Sequence, residues 1–284
     1  MNILEVEGLT KRYEGFTLNG VSFSLERGYI MGFIGRNGAG KTTTMKAMLG
    51  LIGSDGGEVR VCGENMRGNE AAIKRRIGFI MGEFDCYRQA KLKTIARVTK
   101  RFYDDWDDAA YASYLKRFSL DENRKVSELS AGMRVKFALA LALSHNAELL
   151  ILDEPTSGLD PVSRDDLLDV FRSVIEDGTR SILFSTHIIS DLEKCADHIT
   201  YIREGNITLS CDVESFKSRF LLVSGSVEEL REAKERLIGF KEHAFGFTGL
   251  IRSEDAPLLK GLRKAPADLE SIMIYSEKEG DLDA

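Results

Sequence analysis

A glycine-rich stretch at residues 35–42, Gly-Arg-Asn-Gly-Ala-Gly-Lys-Thr, is the segment of this chain best suited to chemistry. It fits the phosphate-binding loop pattern G-x-x-x-x-G-K-[ST] at every defined position. Glycines let the backbone curl so that its N–H groups point inward and form a nest for phosphate oxygens. In this pattern Lys41 places a positive charge between the β- and γ-phosphates, and the Thr42 hydroxyl coordinates Mg²⁺. The stretch therefore predicts a nucleoside triphosphate site.

The residues on either side of this loop supply the context that such a site requires. The apolar run at residues 29–34 is typical of a buried strand, and residues 43–49 indicate a helix whose N-terminus faces the phosphates. A glycine-rich turn without a ligand is the alternative, and both flanks count against it. The residues predicted to bind the nucleotide are Gly35, Arg36, Asn37, Gly38, Ala39, Gly40, Lys41, Thr42 and Thr43.

An acidic pair, Asp153 and Glu154, directly follows four apolar residues at 149–152. Open α/β sheets bind their ligands at the carboxyl ends of strands, which is where this pair would lie. Asp153 would hold Mg²⁺ through a water molecule, while Glu154, pointing to the other side, would polarise the attacking water as general base. A solvated acidic pair is the alternative, but an unpaired carboxylate is costly directly after a buried strand.

The apolar pattern of the first two hundred residues predicts an α/β core. Residues 3–9 and 21–25 alternate as half-buried antiparallel strands do, and they precede the strand of the phosphate loop. Residues 149–152 and 181–185 are short continuous apolar runs, as expected of buried parallel strands. Residues 164–176 indicate the crossover helix between them, with Gly178 just past its end.

Two further regions depart from this pattern. The acidic run at residues 104–108 begins one helix and another begins after Ser130, which predicts a helical insertion at about residues 85–145. Beyond about residue 212, strand-like and helix-like segments follow in a small α+β appendage. The segments are residues 220–223 and 245–251, which indicate strands, residues 227–238, which indicate a helix capped by Ser226, and a helical pattern around Leu269, Ile272 and Met273.

Composition limits the classes of protein to consider. With 284 residues, 43% hydrophobic and 30% charged, we expect one large domain at residues 1–215 and a small one at residues 216–284. No apolar run approaches the ~20 residues that span a bilayer, and the N-terminus does not resemble a secretion signal. The four cysteines are widely spaced and include no C-x-x-C pair, which argues against a metal site and a disulfide framework. They predict a protein of the reduced cytoplasm. The net charge of −6 argues against a nucleic-acid partner.

Five motifs together resemble the ATP-binding cassette (ABC) family over residues 3 to about 215. They are the phosphate loop, the acidic pair, a signature sequence, a dimer-contacting loop and a single histidine. The sequence Leu-Ser-Ala-Gly-Met at residues 129–133 stands where that family has its signature, at a helix start suited to anions. In the family this site caps the γ-phosphate of the ATP held by the opposite subunit, which the resemblance assigns to Ser130, Ala131, Gly132 and Met133. The resemblance likewise implies a dimer-contacting loop formed by Ser157, Gly158, Leu159 and Asp160.

Two single residues gain a role from the same resemblance. His187, directly after residues 181–186, resembles the family's catalytic switch histidine, whereas a lone histidine is usually a packed or surface residue. Tyr13 resembles the aromatic residue that stacks on adenine, and an ordinary exposed tyrosine is the alternative.

The chain departs from the family pattern in two places. Ala131 and Met133 replace the commonest glycine and glutamine of the signature, but we expect activity to survive because Ser130 and Gly132 make the indispensable phosphate contacts. The family also places a glutamine about where Gly82 stands. Glu83 would substitute for it and bind Mg²⁺ directly, or it is a solvated loop residue; both readings stay open.

The resemblance implies that the fold is a P-loop NTPase core with an antiparallel β subdomain. It also implies that the chain is the nucleotide-binding subunit of an ABC transporter. ATP and Mg²⁺ would be used at two composite sites in a homodimer or heterodimer. A separate transmembrane permease subunit would supply the pathway, so the chain would be cytoplasmic and peripheral on the inner face of the cell membrane. The signature and the appendage resemble bacterial exporters of drugs, peptides or antibiotics.

Two other functions stay open for an ABC ATPase of this kind. One is a soluble ATPase acting on DNA, ribosomes or cofactor assembly, against which the single cassette and the lack of long coiled coils count. The other is a non-hydrolytic regulatory module, and Glu154 counts against it.

Overall fold

The computed structural model describes residues 1–81, 87–259 and 261–279. The strands, in chain order, are β1 (Asn2–Tyr13), β2 (Phe16–Glu26), β3 (Ile30–Ile34), β4 (Gly56–Val61), β5 (Glu64–Asn65), β6 (Ile77–Met81), β7 (Leu149–Asp153), β8 (Ser181–Thr186), β9 (His198–Arg203), β10 (Asn206–Asp212), β11 (Phe220–Gly225), β12 (Gly239–His243), β13 (Gly246–Arg252) and β14 (Arg263–Pro266). The helices are α1 (Lys41–Met48), α2 (Met66–Arg75), α3 (Leu92–Thr99), α4 (Asp108–Arg117), α5 (Ala131–Ser144), α6 (Pro161–Ile175), α7 (Ile189–Cys195), α8 (Val213–Ser218), α9 (Val227–Ala233) and α10 (Leu269–Glu279). No helix in these ranges is both long and apolar enough to span a membrane.

A six-stranded sheet in the order β10-β9-β3-β8-β7-β6 forms the centre of the fold. Its neighbours pair in parallel except β10, which runs antiparallel to β9. Every residue of β3, β7 and β8 is buried, as their continuous apolar runs predict. Because parallel strands end at one edge, the segments that follow β3, β7 and β8 meet there. The predicted α/β core is confirmed.

The first antiparallel sheet, in the order β2-β1-β4-β5, packs against this core. β1 and β2 are both longer than the alternating residues predicted, because bulges shift the register of their pairing and the alternation does not run through them. Their buried residues Leu9, Leu18 and Leu25 join one hydrophobic cluster with Phe33 of β3. This sheet therefore holds the start of β2 beside the phosphate loop.

The segment between β6 and β7 contains α3, α4 and α5, and α4 starts at Asp108, the end of the acidic run at residues 104–108 rather than its beginning. Asp107 caps α4 by accepting hydrogen bonds from the N–H groups of Ala109 and Ala110 at 2.7 and 3.0 Å. Tyr111, Leu115 and Phe118 are buried in the largest hydrophobic cluster of the described residues, so this face of α4 belongs to the core, while Tyr114 is half-buried. Residues 82–86, which include the first residues of the predicted insertion, lie outside the described residues.

The C-terminal sheet has the order β12-β13-β11-β14 and is antiparallel. The predicted helix at residues 227–238 is too long: α9 ends at Ala233, and after a short 3₁₀ turn Leu237 has an extended backbone. Sequence reasoning misses β12 and β14, which are short, mostly exposed edge strands without an apolar run. The division at residue 215 stays a prediction.

The C-terminal sheet is joined to the core through α10 and α7. Leu269 and Ile272 of α10 are fully buried in the same cluster as Leu192 and Cys195 of α7. The Leu269 N–H donates a 2.5 Å hydrogen bond to Glu193 Oε1. The C-terminal segment therefore rests on the helix that follows the β8 end of the central sheet.

Candidate functional site

The loop between β3 and α1 is shaped by its glycines. Gly38 and Gly40 have φ values of 82° and 115°, in the region that side chains disfavour. A Cβ on Gly35 would lie 2.5 Å from the Ile202 carbonyl oxygen, so only glycine allows β9 to approach this closely. α1 begins at Lys41, earlier than the predicted residue 43, because Gly40 caps it with its own backbone.

The ammonium of Lys41 is buried and held by three oxygens. Its Nζ donates to the Gly35 carbonyl at 2.7 Å and to the Arg36 carbonyl at 3.4 Å, and it pairs with Glu154 Oε1 at 3.1 Å. Burying a cation is costly unless oxygens surround it, as they do here. The loop lysine and the predicted general base are therefore in direct contact, although 113 positions separate them in the sequence (154 − 41).

The Asp153 carboxylate at the end of β7 is buried and hydrogen-bonded to helix α1 and to the neighbouring strand β8. Thr42 Oγ1 donates to Asp153 Oδ2 at 2.8 Å, and Ser185 Oγ donates to Asp153 Oδ1 at 2.6 Å. Ser185 Oγ also accepts from the Glu154 N–H at 2.9 Å. A hydroxyl and a carboxylate in contact are the oxygen donors that Mg²⁺ takes, so Thr42 and Asp153 fit the predicted metal role.

Ser185 is a site residue that sequence reasoning missed. Its sequence signal is weak: it is one of three polar side chains in β8 and follows the apolar residues 182–184. Because it holds both Asp153 and the backbone of Glu154, it fixes the acidic pair from behind.

Replacement of Ser185 with alanine is expected to lower the free energy of unfolding by about 1–3 kcal/mol, because a buried carboxylate oxygen and a backbone N–H lose their partner. Urea denaturation measures this change. Ser157→Ala, which removes an exposed hydroxyl nearby, is the control and should stay within about 0.5 kcal/mol of the original chain. Equal stability of the two variants would contradict the role given to Ser185.

Glu154 is held from two sides and by its backbone. Its φ of 51° is left-handed, a conformation that costs energy in a residue with a side chain and is concentrated at functional sites. Its Oε2 lies 2.8 Å from Nδ1 of His187, and its Oε1 faces Lys41. His187 follows β8 and is partly exposed. The structure thus brings together all three of these predicted site residues.

These groups open on a cavity of about 450 Å³. It is lined by Phe16, Arg36, Asn37, Gly38, Gly40, Lys41, Thr42, Thr43, Glu154, Ser157 and His187. Tyr13 does not belong to this lining: the residue is 48% exposed, and the centroid of its ring lies 5.5 Å from Nζ of Lys11. Phe16 is the aromatic residue at the loop, since a Cβ on Gly40 would lie 2.9 Å from its Cζ. Sequence reasoning missed Phe16.

The residues of the predicted signature lie away from this cavity. Ser130 caps α5, and its Oγ accepts from the Met133 N–H at 3.2 Å. Ser130 and Ala131 are exposed, whereas Gly132 is buried, with Leu159 Cδ2 3.6 Å from the position of a Cβ on it. Ala131 lines a second cavity of about 380 Å³ together with Asp153, Glu154, Pro155, Ser157, Gly158 and Leu159. The exposed N-terminus of α5 is free to meet an anion from outside this chain's own loop.

The predicted dimer loop lies between Glu154 and α6. Ser157 and Gly158 are exposed, and Gly158 has a φ of 72°. Asp160 begins α6 by accepting from the N–H groups of Val162 and Ser163 at 3.1 and 3.0 Å. Hydrogen bonds from Ser163 lower the pKa of Asp160, so the cap is ionised at neutral pH. Gly82 and Glu83 lie outside the described residues.

Comparisons with known proteins agree with this geometry. The model of the ABC transporter family matches residues 18–157. The chain is 34% identical over 220 residues to the bacitracin transport ATP-binding protein BcrA of Bacillus licheniformis, covering 76% of this chain and 72% of that protein. It is 35% identical over 208 residues to the Nod factor export ATP-binding protein I of Burkholderia orbicola, covering 71% and 68%. A solved ATP-binding subunit of an ABC transporter superposes with a TM-score of 0.68 at 26% identity, covering 76% and 92%.

Proposed function

The chain belongs to the ABC transporter family, and on this premise we propose that it is the ATP-hydrolysing subunit of an exporter with a separate transmembrane permease subunit. The observation that carries the hydrolytic part is the contact series Lys41–Glu154–His187 beside the Thr42–Asp153 pair, all at one edge of the central sheet. A chain that only binds a partner needs no such series.

Each residue of the site has a role in cleaving the γ-phosphate of ATP. The loop N–H groups and Lys41 bind the phosphates, and Lys41 leaves the carbonyl oxygens of the loop for phosphate oxygens. Thr42 and Asp153 would hold Mg²⁺, which would supply positive charge to neutralise the phosphates. Glu154 takes a proton from the attacking water at a carboxylate oxygen. His187, hydrogen-bonded to Glu154 Oε2, orients that carboxylate, and its place in the lining of the cavity would let it face the γ-phosphate.

We also propose that two such subunits complete each other's sites, as a homodimer or a heterodimer. The exposed N-terminus of α5 at Ser130 supports this proposal, because it offers N–H groups that the chain's own phosphate loop does not use. Residues 157–160 would contact the partner, and Tyr13 or Phe16 would stack on the adenine of ATP.

The proposal includes export as the direction of transport and a position at the inner face of the cell membrane. They are supported by the relatives, one named for bacitracin transport and one for Nod factor export. Co-expression with the multi-span membrane protein encoded nearest to this chain tests them. We expect both to purify together from membranes, with the ATPase rate raised by the complex. Recovery with a soluble partner alone would favour the alternative of a non-transport ABC ATPase.

Glu83 remains a proposed Mg²⁺ ligand in place of the family's glutamine. Replacing Glu83 with alanine is expected to lower ATPase activity at limiting Mg²⁺ and to leave ATP binding without metal unchanged, because a carboxylate ligand is lost. ATPase rates measured against Mg²⁺ concentration decide this. The exposed Glu122→Ala variant is the control. Superimposable curves for Glu83→Ala and the original chain would show that Glu83 is a solvated loop residue.

A further inference from the structure

Two buried polar side chains and one half-buried arginine lie between the predicted dimer loop, α6 and α7. We call Thr156, Arg164 and Asp191 the α6–α7 cluster. Asp191 is 1% exposed and Thr156 is fully buried. Asp191 Oδ2 and Thr156 Oγ1 have no geometrically complete hydrogen bond in the described structure. Buried polar groups normally have partners, so this cluster needs an explanation.

The guanidinium of Arg164 connects two loops of the site. Its Nε lies 3.9 Å from Asp191 Oδ1, and its Nη2 donates to the Leu159 carbonyl at 3.4 Å. Leu159 belongs to the loop at residues 157–160, whereas Asp191 lies in α7, which begins two positions after His187 (189 − 187). Both contacts are at the long end of their ranges, so small movements of either loop change them.

The charge on Asp191 depends on this neighbour. Burial raises the pKa of the Asp191 carboxyl, and the Thr156 hydroxyl and the Arg164 guanidinium counteract that rise. A buried carboxylate without a cation close by is strongly disfavoured, so Arg164 is the partner that makes the position tenable. Arg164 therefore bridges the loop at residues 157–160 and the helix that follows His187.

We propose that Arg164 and Asp191 are a positioning pair that sets the loop at residues 157–160 and the His187 loop relative to each other. This rests on the proposed function, because the two loops carry a dimer contact and a catalytic residue. Neither Arg164 nor Asp191 lines the cavity at the phosphate loop, so each acts through the loop beside it. In the closed dimer the pair shortens and holds His187 against Glu154.

Amide hydrogen exchange of the full-length chain tests the pair without requiring activity. Two amides report on the two loops: Leu159 N–H donates to the Thr156 carbonyl at 3.3 Å, and Ile188 N–H donates to Thr186 Oγ1 at 2.9 Å. With Asp191→Asn we expect both to exchange about tenfold faster, because losing the charge uncouples the loops. Faster exchange at Ile188 alone would mean local loosening of α7 and would overturn the proposal.

An exposed ion pair between the same two helices provides the matched control. Lys194 and Asp165 form an ion pair there, with both side chains about half exposed. Asp165→Asn should leave both amides within about twofold of the original chain, since surface changes are worth little. If Asp191→Asn gives the same exchange as Asp165→Asn, the pair has no positioning role.

Arg164→Lys is the second variant, to be used if Asp191→Asn does not fold, because Arg164 is the partly exposed member of the pair. It keeps the charge but loses the planar fork that bonds two oxygens, so faster exchange at Leu159 is expected, and unchanged exchange there contradicts the pair. In ATPase assays Asp191→Asn should lower kcat about tenfold and leave KM for ATP within about twofold. An original chain without ATPase activity would refute the proposed function, while the exchange results still decide the pair.

Discussion

The Lys41→Ala variant is expected to lose ATP hydrolysis by at least about 10²–10³-fold, the scale of a lost electrostatic group in a buried site. Lys41 is the buried cation of the phosphate loop, and its Nζ lies within 3.4 Å of oxygens from Gly35, Arg36 and Glu154. No water molecule can replace a fixed ammonium between two phosphates with equal effect. Glu154 also loses its ion pair, so the proposed general base is less well held.

The control for this variant lies one turn further along the same helix. Lys46 is in α1 but exposed, so Lys46→Ala changes the net charge equally and should keep the original ATPase rate. ATP affinity, measured with a fluorescent nucleotide, and the steady-state ATPase rate give the readouts. Retention of the full rate by Lys41→Ala would refute the assignment of the loop.

The Glu154→Gln variant is expected to bind ATP but to hydrolyse it about 10²–10⁴-fold more slowly, the scale of a lost general base. Glutamine has nearly the same shape, and its amide still forms hydrogen bonds with His187 and the surrounding site. It cannot take a proton from water, however. ATP that is bound and not cleaved should hold two subunits together, because in the proposed dimer each signature would close on the γ-phosphate of the other subunit's ATP.

Gel filtration with saturating ATP and Mg²⁺ measures this second effect. Glu154→Gln should elute as a dimer with ATP and as a monomer without it. Glu176→Gln, an exposed residue just after α6, is the matched control and should behave as the original chain does. A Glu154→Gln protein that stays monomeric with ATP would count against the composite site.

Most of the fold and most of the candidate site residues could be predicted from local signals in the sequence. The phosphate loop, the acidic pair after β7, and the caps Asp107, Ser130 and Ser226 act on neighbouring residues, so their effects can be read along the chain. Continuous apolar runs predicted β3, β7 and β8 because burial on both faces of a parallel sheet needs them. These signals indicate which residues lie at the carboxyl ends of the parallel strands, where such sheets bind their ligands.

Tertiary structure decided which distant residues touch at that edge. Ser185 bonding to Asp153, Lys41 bonding to Glu154, and Phe16 at the phosphate loop are contacts between separate strands or loops. No local pattern records such contacts, because they depend on strand order and on how closely two backbones approach. The same reason hides the short edge strands of the C-terminal sheet and the pairing of Arg164 with Asp191, where only packing brings the partners together.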